Sequence, residues 1–233
     1  MARILNIETS TRVCSVAVSV DGKIISIKES HTENSHAEQI TLFSQEVMKN
    51  AGLSPDDLDA IAVSKGPGSY TGLRIGVSTA KGYCYGTDIP LIAIGTLEAM
   101  AFGMADKINS PNADIIFCPM IDARRMEVYS ALFSKQLEEL KETEAVIVDE
   151  NSFKDTLDNN EVWFAGDGAS KCKEVLSINK NARFLDDFHP SASYLGPIAE
   201  NKFQKSQFED TAYFEPFYLK DFVAGIPKVK GLR

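Results

Sequence analysis

The stretch whose residue types and spacing most clearly suggest a binding or catalytic role runs from Gly66 to Gly76 and reads GPGSYTGLRIG. It joins an apolar run at residues 60–63, which predicts a buried strand, to residues with helical spacing. Backbone N–H groups at such a helix start can hold an anion. The common phosphate loops are excluded, because no lysine follows a second glycine as in a P-loop and the third glycine is one place late for the dinucleotide pattern.

Small residues on the predicted helix suggest a second use for this stretch. They recur every four residues on two neighbouring stripes, Gly72-Gly76-Ala80 and Ser78-Gly82-Gly86. Each glycine inside a helix lowers the stability of that helix by about 1 kcal/mol relative to alanine, so the presence of several glycines needs a structural explanation. Close approach of another helix is such a reason, either inside the chain's own core or from a second subunit. If it comes from a second subunit, Gly72→Leu or Gly76→Leu should block association and leave the monomer folded.

The first strand is followed by an acid and two hydroxyl side chains, Glu8, Thr9 and Ser10. Hydroxyls and backbone N–H groups in such a turn can bind phosphate. The glycine that would allow close backbone approach is missing, so an ordinary hairpin loop is the favoured interpretation.

Two segments of the second half could complete a nucleotide cleft. Asp122 could orient a metal-bound water, or it could form a structural ion pair with Arg124 or Arg125. Gly166, Asp167 and Gly168 precede a helix and could receive a ribose. A strand-to-helix turn is the favoured interpretation of these glycines.

The three histidines do not predict a metal site. His31 and His36 are five residues apart, whereas a zinc-binding pair on a helix is spaced i, i+4, and His189 stands alone before Pro190. We expect no metal, no cofactor and no catalytic residue.

Composition narrows the class of protein. The chain has 233 residues, 44% apolar residues and a net charge of −9. The negative charge argues against autonomous binding of nucleic acid, which depends on Lys and Arg. The four cysteines are far apart and predict reduced, mostly buried thiols. No apolar run approaches the length of a membrane span, so we expect a soluble, cytoplasmic protein that does not bind membranes.

The order of predicted elements indicates a duplicated α/β fold. A three-stranded meander opens the first half, and a strand, a polar turn with an acid and a second strand open the second half. Helix–strand units follow in each half, and a polar stretch at residues 105–113 lies between the halves. Ser35 and Glu38 form a capping box for the first helix. We therefore predict two actin-like lobes, residues 1–106 and 107–220, each a mixed sheet flanked by helices, and a flexible tail at 221–233. In such folds the opening hairpin turns face each other across a cleft.

Four segments resemble the bacterial TsaB (YeaZ) family of tRNA threonylcarbamoyladenosine biosynthesis proteins. In order they are residues 4–17 (ILNIETST and CSVA), 66–76 (GPGSYTGLRIG), 119–129 (PMIDARRMEVY) and 216–219 (PFYL). The resemblance spans nearly the whole chain, and the glycine-rich segment is highly specific. Glu8 stands where this family more often has Asp, which bears only on the phosphate turn.

The resemblance implies a non-catalytic platform for threonylcarbamoyl transfer to adenosine 37 of tRNA. It implies a catalytic partner of the TsaD type, an ATPase of the TsaE type, contact with tRNA only through the complex, and a homodimer when alone. It places the partner interface on two helices: His36, Gln39, Ile40, Phe43 and Val47, with Ser69, Thr71, Gly72, Arg74, Ile75, Gly76, Ser78, Thr79 and Gly82. The alternative is an enzyme acting alone, either an ATP-dependent kinase of the actin-like fold or a glycopeptidase-like hydrolase.

Overall fold

The computed structural model describes residues 1–32, 36–112 and 114–220. The strands are β1 Arg3–Glu8, β2 Cys14–Val20, β3 Lys23–Ser30, β4 Ala60–Gly66, β5 Leu91–Gly95, β6 Ile115–Asp122, β7 Glu127–Ser134, β8 Glu139–Ile147, β9 Glu161–Ala165 and β10 Ala182–Leu185. The helices are α1 His36–Asn50, α2 Tyr70–Thr87, α3 Thr96–Lys107, α4 Lys154–Asn159, α5 Asp167–Leu176 and α6 Leu195–Gln204. The capping residue Ser35 and the tail at 221–233 lie outside the described residues.

The first sheet has the strand order β3-β2-β1-β4-β5. The strands β1, β2 and β3 are antiparallel neighbours, while β4 pairs in parallel with both β1 and β5. Asp21 and Gly22 close the β2–β3 hairpin with φ angles of 50° and 74°. Positive φ at both turn positions matches the right-handed twist of the strands, and it explains why the Asp-Gly pair marks this hairpin.

The second sheet repeats this arrangement with the order β8-β7-β6-β9-β10. Its first three strands are again antiparallel, and β9 again pairs in parallel with both neighbours. The prediction of a duplicated fold with two mixed sheets is therefore confirmed. We use "lobe" for each sheet together with the helices on it.

Helices cover both faces of each sheet. Helices α1 and α2 pack on one face of the first sheet, and α3 and α6 pack on the other. Helix α3 also contacts the second sheet, whose far face is covered by α4 and α5. The domain boundary at residues 106–107 stays a prediction. Helix α6, although late in the chain, packs on the first sheet.

Local sequence patterns do not mark the extent of every element. Strand β8 begins at Glu139, six residues before the apolar run at 145–148, and helix α4 covers only Lys154–Asn159. The edge strand β10 was not predicted. The four cysteines are free and buried, as expected. Within residues 1–32, 36–112 and 114–220, no helix is both long and apolar enough to cross a bilayer.

Candidate functional site

The two opening hairpin turns meet at a cleft between the lobes. This interlobe cleft has a volume of about 890 Å³. It is lined by the first turn (residues 10–12), the start of α2 (residues 67–72), the second turn (residues 121–124) and the chain at 217–220. The predicted juxtaposition of the two turns across a cleft is confirmed.

The first turn is already filled by α2. Thr9 and Ser10 have no solvent exposure. The Thr9 hydroxyl donates a hydrogen bond to the Gly72 carbonyl at 2.8 Å, and the Ser69 backbone N–H donates to the Ser10 carbonyl at 2.6 Å. A Cβ on Gly68 would stand 2.3 Å from that same Ser10 carbonyl oxygen. A phosphate on this turn would have to displace the helix, which supports the interpretation of an ordinary hairpin loop.

Glu8 lies beneath this turn as a buried carboxyl group with 0% exposure. The Ser10 backbone N–H donates to Glu8 Oε1 at 2.6 Å, while Oε2 has no hydrogen-bond partner among the described residues. Desolvation raises the pKa of Glu8, and the hydrogen bonds from Ser10 only partly oppose that shift. A carboxyl group that favours its neutral form is poorly suited to binding a cation.

The second turn is open and carries an ion pair. The Asp122 side chain is 45% exposed and pairs with Lys171 of α5. Asp122 Oδ1 also accepts from the Arg124 backbone N–H at 2.7 Å. Desolvation would raise the pKa of Asp122, but the bonds from Lys171 and Arg124 outweigh it and lower the pKa. The prediction that Asp122 forms an ion pair with the side chain of Arg124 or Arg125 is therefore wrong. Its cationic partner is Lys171, 49 residues further along the chain.

The glycines around Asp167 serve close packing of α5 on β6. Gly166 has φ of 103°, and a Cβ there would stand 2.2 Å from the Met120 carbonyl oxygen. A Cβ on Gly168 would stand 2.9 Å from the Ile121 carbonyl carbon. Asp167 Oδ1 accepts the Asp122 backbone N–H at 2.9 Å, joining the two turns. These contacts support the interpretation of a strand-to-helix turn.

The histidines take structural positions. His36 Nε2 lies 2.8 Å from the Thr11 carbonyl oxygen. The rings of His31 and His189 meet edge to face, with centroids 5.4 Å apart. Among the residues that the structure describes, no group of three or more His, Cys, Asp or Glu side chains could hold a metal ion.

Helix α2 has two faces of contrasting environment. Ser69 caps it by accepting from the Gly72 N–H at 3.2 Å, as its sequence position predicts. On the inner face, a Cβ on Gly72 would stand 2.1 Å from the Thr9 carbonyl oxygen, and one on Gly76 would stand 2.2 Å from Thr9 Oγ1. On the outer face, a Cβ on Gly82 would meet nothing within 4 Å. The outer face, the "α2 outer stripe", consists of Thr71, Arg74, Ser78, Gly82, Tyr85 and Gly86, all exposed.

These faces correct part of the predicted partner interface. Five of its residues are buried inside the chain: His36, Ile40, Val47, Gly72 and Gly76. The close-packing role of Gly72 and Gly76 is therefore internal. A leucine at either position would clash with Thr9, so it is expected to destabilise the monomer rather than to leave it folded. Four residues are partly exposed, namely Gln39, Phe43, Ile75 and Thr79, and five are exposed, namely Ser69, Thr71, Arg74, Ser78 and Gly82. These nine stay predicted interface residues.

Sequence reasoning missed a contact between α2 and the end of the chain. Tyr218 lies on the ring of Tyr70, with centroids 5.0 Å apart, and its hydroxyl accepts from Arg74 Nε at 3.2 Å. Lys220 forms an ion pair with Glu127 of the second lobe. The PFYL segment signals aromatic packing, but no local pattern identifies its partner 144 residues away.

The repeated sheets, the shared strand order and the interlobe cleft define a two-lobed actin-like α/β protein. The family model for tRNA N6-adenosine threonylcarbamoyltransferase (TsaD) matches residues 24–228. The chain is 32% identical to the tRNA threonylcarbamoyladenosine biosynthesis protein TsaB of Escherichia coli strain K12, over 95% of this chain and 96% of that protein. It is 30% identical to the TsaB protein of Haemophilus influenzae, over 94% of each. The chain belongs to the TsaB family of tRNA threonylcarbamoyladenosine biosynthesis proteins.

A solved structure supports the same fold. The structure of YeaZ from Pseudomonas aeruginosa superposes with a TM-score of 0.76, at 22% identity, over 94% of this chain and 100% of that one. The TsaB relatives confirm the family resemblance found in the sequence, and this structure confirms the fold.

Proposed function

We propose that this protein is a non-catalytic subunit of the threonylcarbamoyladenosine system, which pairs with a TsaD-type threonylcarbamoyltransferase. The α2 outer stripe carries this proposal. It presents Ser78, Gly82 and Gly86 at four-residue spacing, and none of the residues that the structure describes covers them. Glycine lowers the stability of a helix, and these glycines make no close contact with the described residues. Close packing of a helix from a partner protein would explain why glycine occupies these positions.

Helix α1 extends this surface. Helix α1 contacts α2 and carries Leu42, which is 62% exposed, and Phe43, which is partly exposed. Apolar groups beside small residues suit a helix-on-helix interface, in which large side chains fill the space above glycines. In this proposal a second copy of the chain occupies the same surface when the transferase is absent, giving the homodimer.

The first turn supports the non-catalytic part of the proposal. The Thr9 hydroxyl and the Ser10 carbonyl are engaged by α2, and the Ser10 side chain is fully buried, so this lobe does not offer the open phosphate turn that an actin-like kinase needs. A role as a kinase or hydrolase acting alone is therefore the weaker alternative. The net charge of −9 suits a subunit that meets tRNA only through its partners.

In this proposal the protein also recruits a TsaE-type ATPase. The protein then acts by holding the transferase and the ATPase in one complex in the cytoplasm, with no cofactor of its own.

A reconstituted transfer reaction tests the proposal. Threonylcarbamoyl incorporation into tRNA would be measured with the TsaD-type and TsaE-type proteins of the same organism, with and without this chain. We expect omission to abolish turnover and the Thr9→Ala variant, if folded, to support it. An unchanged rate on omission would exclude the assembly role, and ATP hydrolysis or phosphoryl transfer by the isolated chain would favour the kinase.

A further inference from the structure

The end of the described chain is tied along the first lobe. We call residues 207–220 the C-terminal strap. Its middle is held by Lys81 of α2, whose Nζ donates to the Ala212 carbonyl at 3.2 Å and to the Phe214 carbonyl at 3.1 Å. Further on, the Phe217 N–H donates to the Lys65 carbonyl at the end of β4, at 2.7 Å. These bonds place the next residue, Tyr218, over the first turns of α2.

Tyr218 completes an aromatic frame around Arg74. The guanidinium carbon of Arg74 lies 4.2 Å from the centroid of the Tyr70 ring, in cation–π contact. Arg74 Nε donates to the Tyr218 hydroxyl at 3.2 Å, and the two tyrosine rings are 5.0 Å apart. A flexible side chain is thus held in one orientation by a neighbour on its own helix and by the strap.

The Nη1 and Nη2 donors of Arg74 make no hydrogen bond or ion pair with any residue in the described part of the chain, and the residue is exposed on the α2 outer stripe. The hydrogen bond with Tyr218 and, more weakly, the negative charge of Glu215 on the strap raise the pKa of Arg74. Glu215 forms no ion pair with Arg74 among the described residues, so these donors stay available to a second carboxylate. Helix α2 has no acidic residue between Tyr70 and Thr87. The other cation of the helix, Lys81, is occupied by the strap. A carboxylate on an incoming protein can therefore reach Arg74 without repulsion from the same helix, and it matches the two parallel N–H donors.

We propose that Tyr70 and Tyr218 hold Arg74 ready to bind a carboxylate of the threonylcarbamoyltransferase subunit, so that the C-terminal strap sets the affinity of the α2 outer stripe. Tyr218 is a positioning residue in this arrangement, because it acts through Arg74. An arginine fixed before binding loses less conformational freedom on binding, which raises affinity without any additional contact. This inference rests on the proposed function, since it takes the transferase as the partner.

A double-mutant cycle tests the coupling. Affinity for the TsaD-type subunit of the same organism would be measured by calorimetry for the wild type, Arg74→Ala, Tyr218→Phe and the double variant, with melting curves to verify folding. We expect Arg74→Ala to weaken binding at least about tenfold and Tyr218→Phe about three- to fivefold. In the Arg74→Ala background, Tyr218→Phe should then change the affinity by less than about twofold. Added salt should weaken the wild type more than Arg74→Ala.

The control is Tyr213→Phe, which removes a hydroxyl from an 84% exposed tyrosine of the same strap and should leave the affinity unchanged. Additive losses in the cycle, or equal salt dependence, would overturn the inference. If Arg74 and Tyr218 prove to be coupled in self-association of the chain but not in binding to the transferase, the carboxylate lies on a second copy of the chain. That result would overturn the choice of partner. If the wild type fails to bind the transferase at all, the proposed function fails instead.

Discussion

The inner and outer faces of α2 carry the same pattern of small residues and have opposite surroundings. Gly72 and Gly76 lie directly on Thr9, closer than any Cβ could approach. Gly82 and Gly86 have open space where a Cβ would stand. Four-residue glycine spacing therefore indicates that something approaches a helix closely, but not whether that neighbour belongs to the same chain. The inner face positions the hairpin turn, and the outer face is left for a partner.

The largest effect is expected from Gly72→Ala. The new methyl group would stand 2.1 Å from the Thr9 carbonyl oxygen, a backbone atom that cannot rotate away. We expect the free energy of unfolding to fall by about 2–3 kcal/mol, or roughly 4–12 °C in the thermal midpoint. Circular dichroism melting of the isolated chain measures this change. An unaltered midpoint would mean that the inner face is not packed on Thr9 and would remove the contrast between the two faces.

A leucine on the outer face should act on assembly instead. Gly82→Leu adds a large side chain at a position where no atom of the described residues lies within 4 Å of a Cβ. We expect a normal melting curve and at least a tenfold loss of affinity for the TsaD-type transferase, about 1.4 kcal/mol. Glu174→Leu, on an exposed position of α5, is the matched control and should bind as the wild type does. Full affinity in a folded Gly82→Leu variant would contradict the assignment of the outer face to that partner.

The turn beneath the inner face should make stability depend on pH through Glu8. Desolvation raises the pKa of Glu8 above its ordinary 4.5, so the folded chain holds this proton more tightly than the unfolded chain. The contribution of Glu8 to stability is therefore greatest below pH 4.5 and is lost as pH rises toward the folded pKa. Glu8→Gln stays neutral at every pH, so the stability of this variant relative to the wild type should increase over the range above pH 4.5. Urea titrations across that range measure the difference in free energy of unfolding between the two proteins. A difference that does not change with pH would show that the pKa of Glu8 is not raised by folding.

The smallest effect, opposite in sign to the first, is expected from Gly82→Ala. Alanine at an open position of a helix interior lowers the entropy of the unfolded chain without a clash. We expect a gain of about 0.5–1 kcal/mol in the free energy of unfolding. Loss of stability in this variant, measured beside Gly72→Ala, would show that the outer face has an internal contact after all.

Much of the fold could be predicted from local patterns. The Asp21-Gly22 pair and the alternating residues of β2 specify a hairpin, since both features act over a few residues. Strand β10, by contrast, is a four-residue edge strand with no buried position, so it lacks the pattern that burial imposes. Helix α6 was placed in the second lobe by its position in the chain, whereas its packing partner is the first sheet.

The candidate site was only partly predictable for the same reason. The residues of both turns and the small residues Ser78, Gly82 and Gly86 of the outer stripe were found from residue type and spacing. The partner of Asp122 was not, because Lys171 comes from a different element and the two meet only when α5 packs on β6. The frame around Arg74 depends likewise on a tyrosine 144 residues away.

By itself, the sequence determined the elements of this protein, the duplication of its sheets and the presence of a closely packed helix after the glycine-rich turn. These follow from backbone preferences and from the periodicity of burial, which are local. Only the tertiary structure decided which stripe of that helix is buried, that the first turn is filled, and that the C-terminal strap meets Arg74. Those outcomes depend on how distant segments pack together, and glycine, which has no side chain, permits close approach from either face equally.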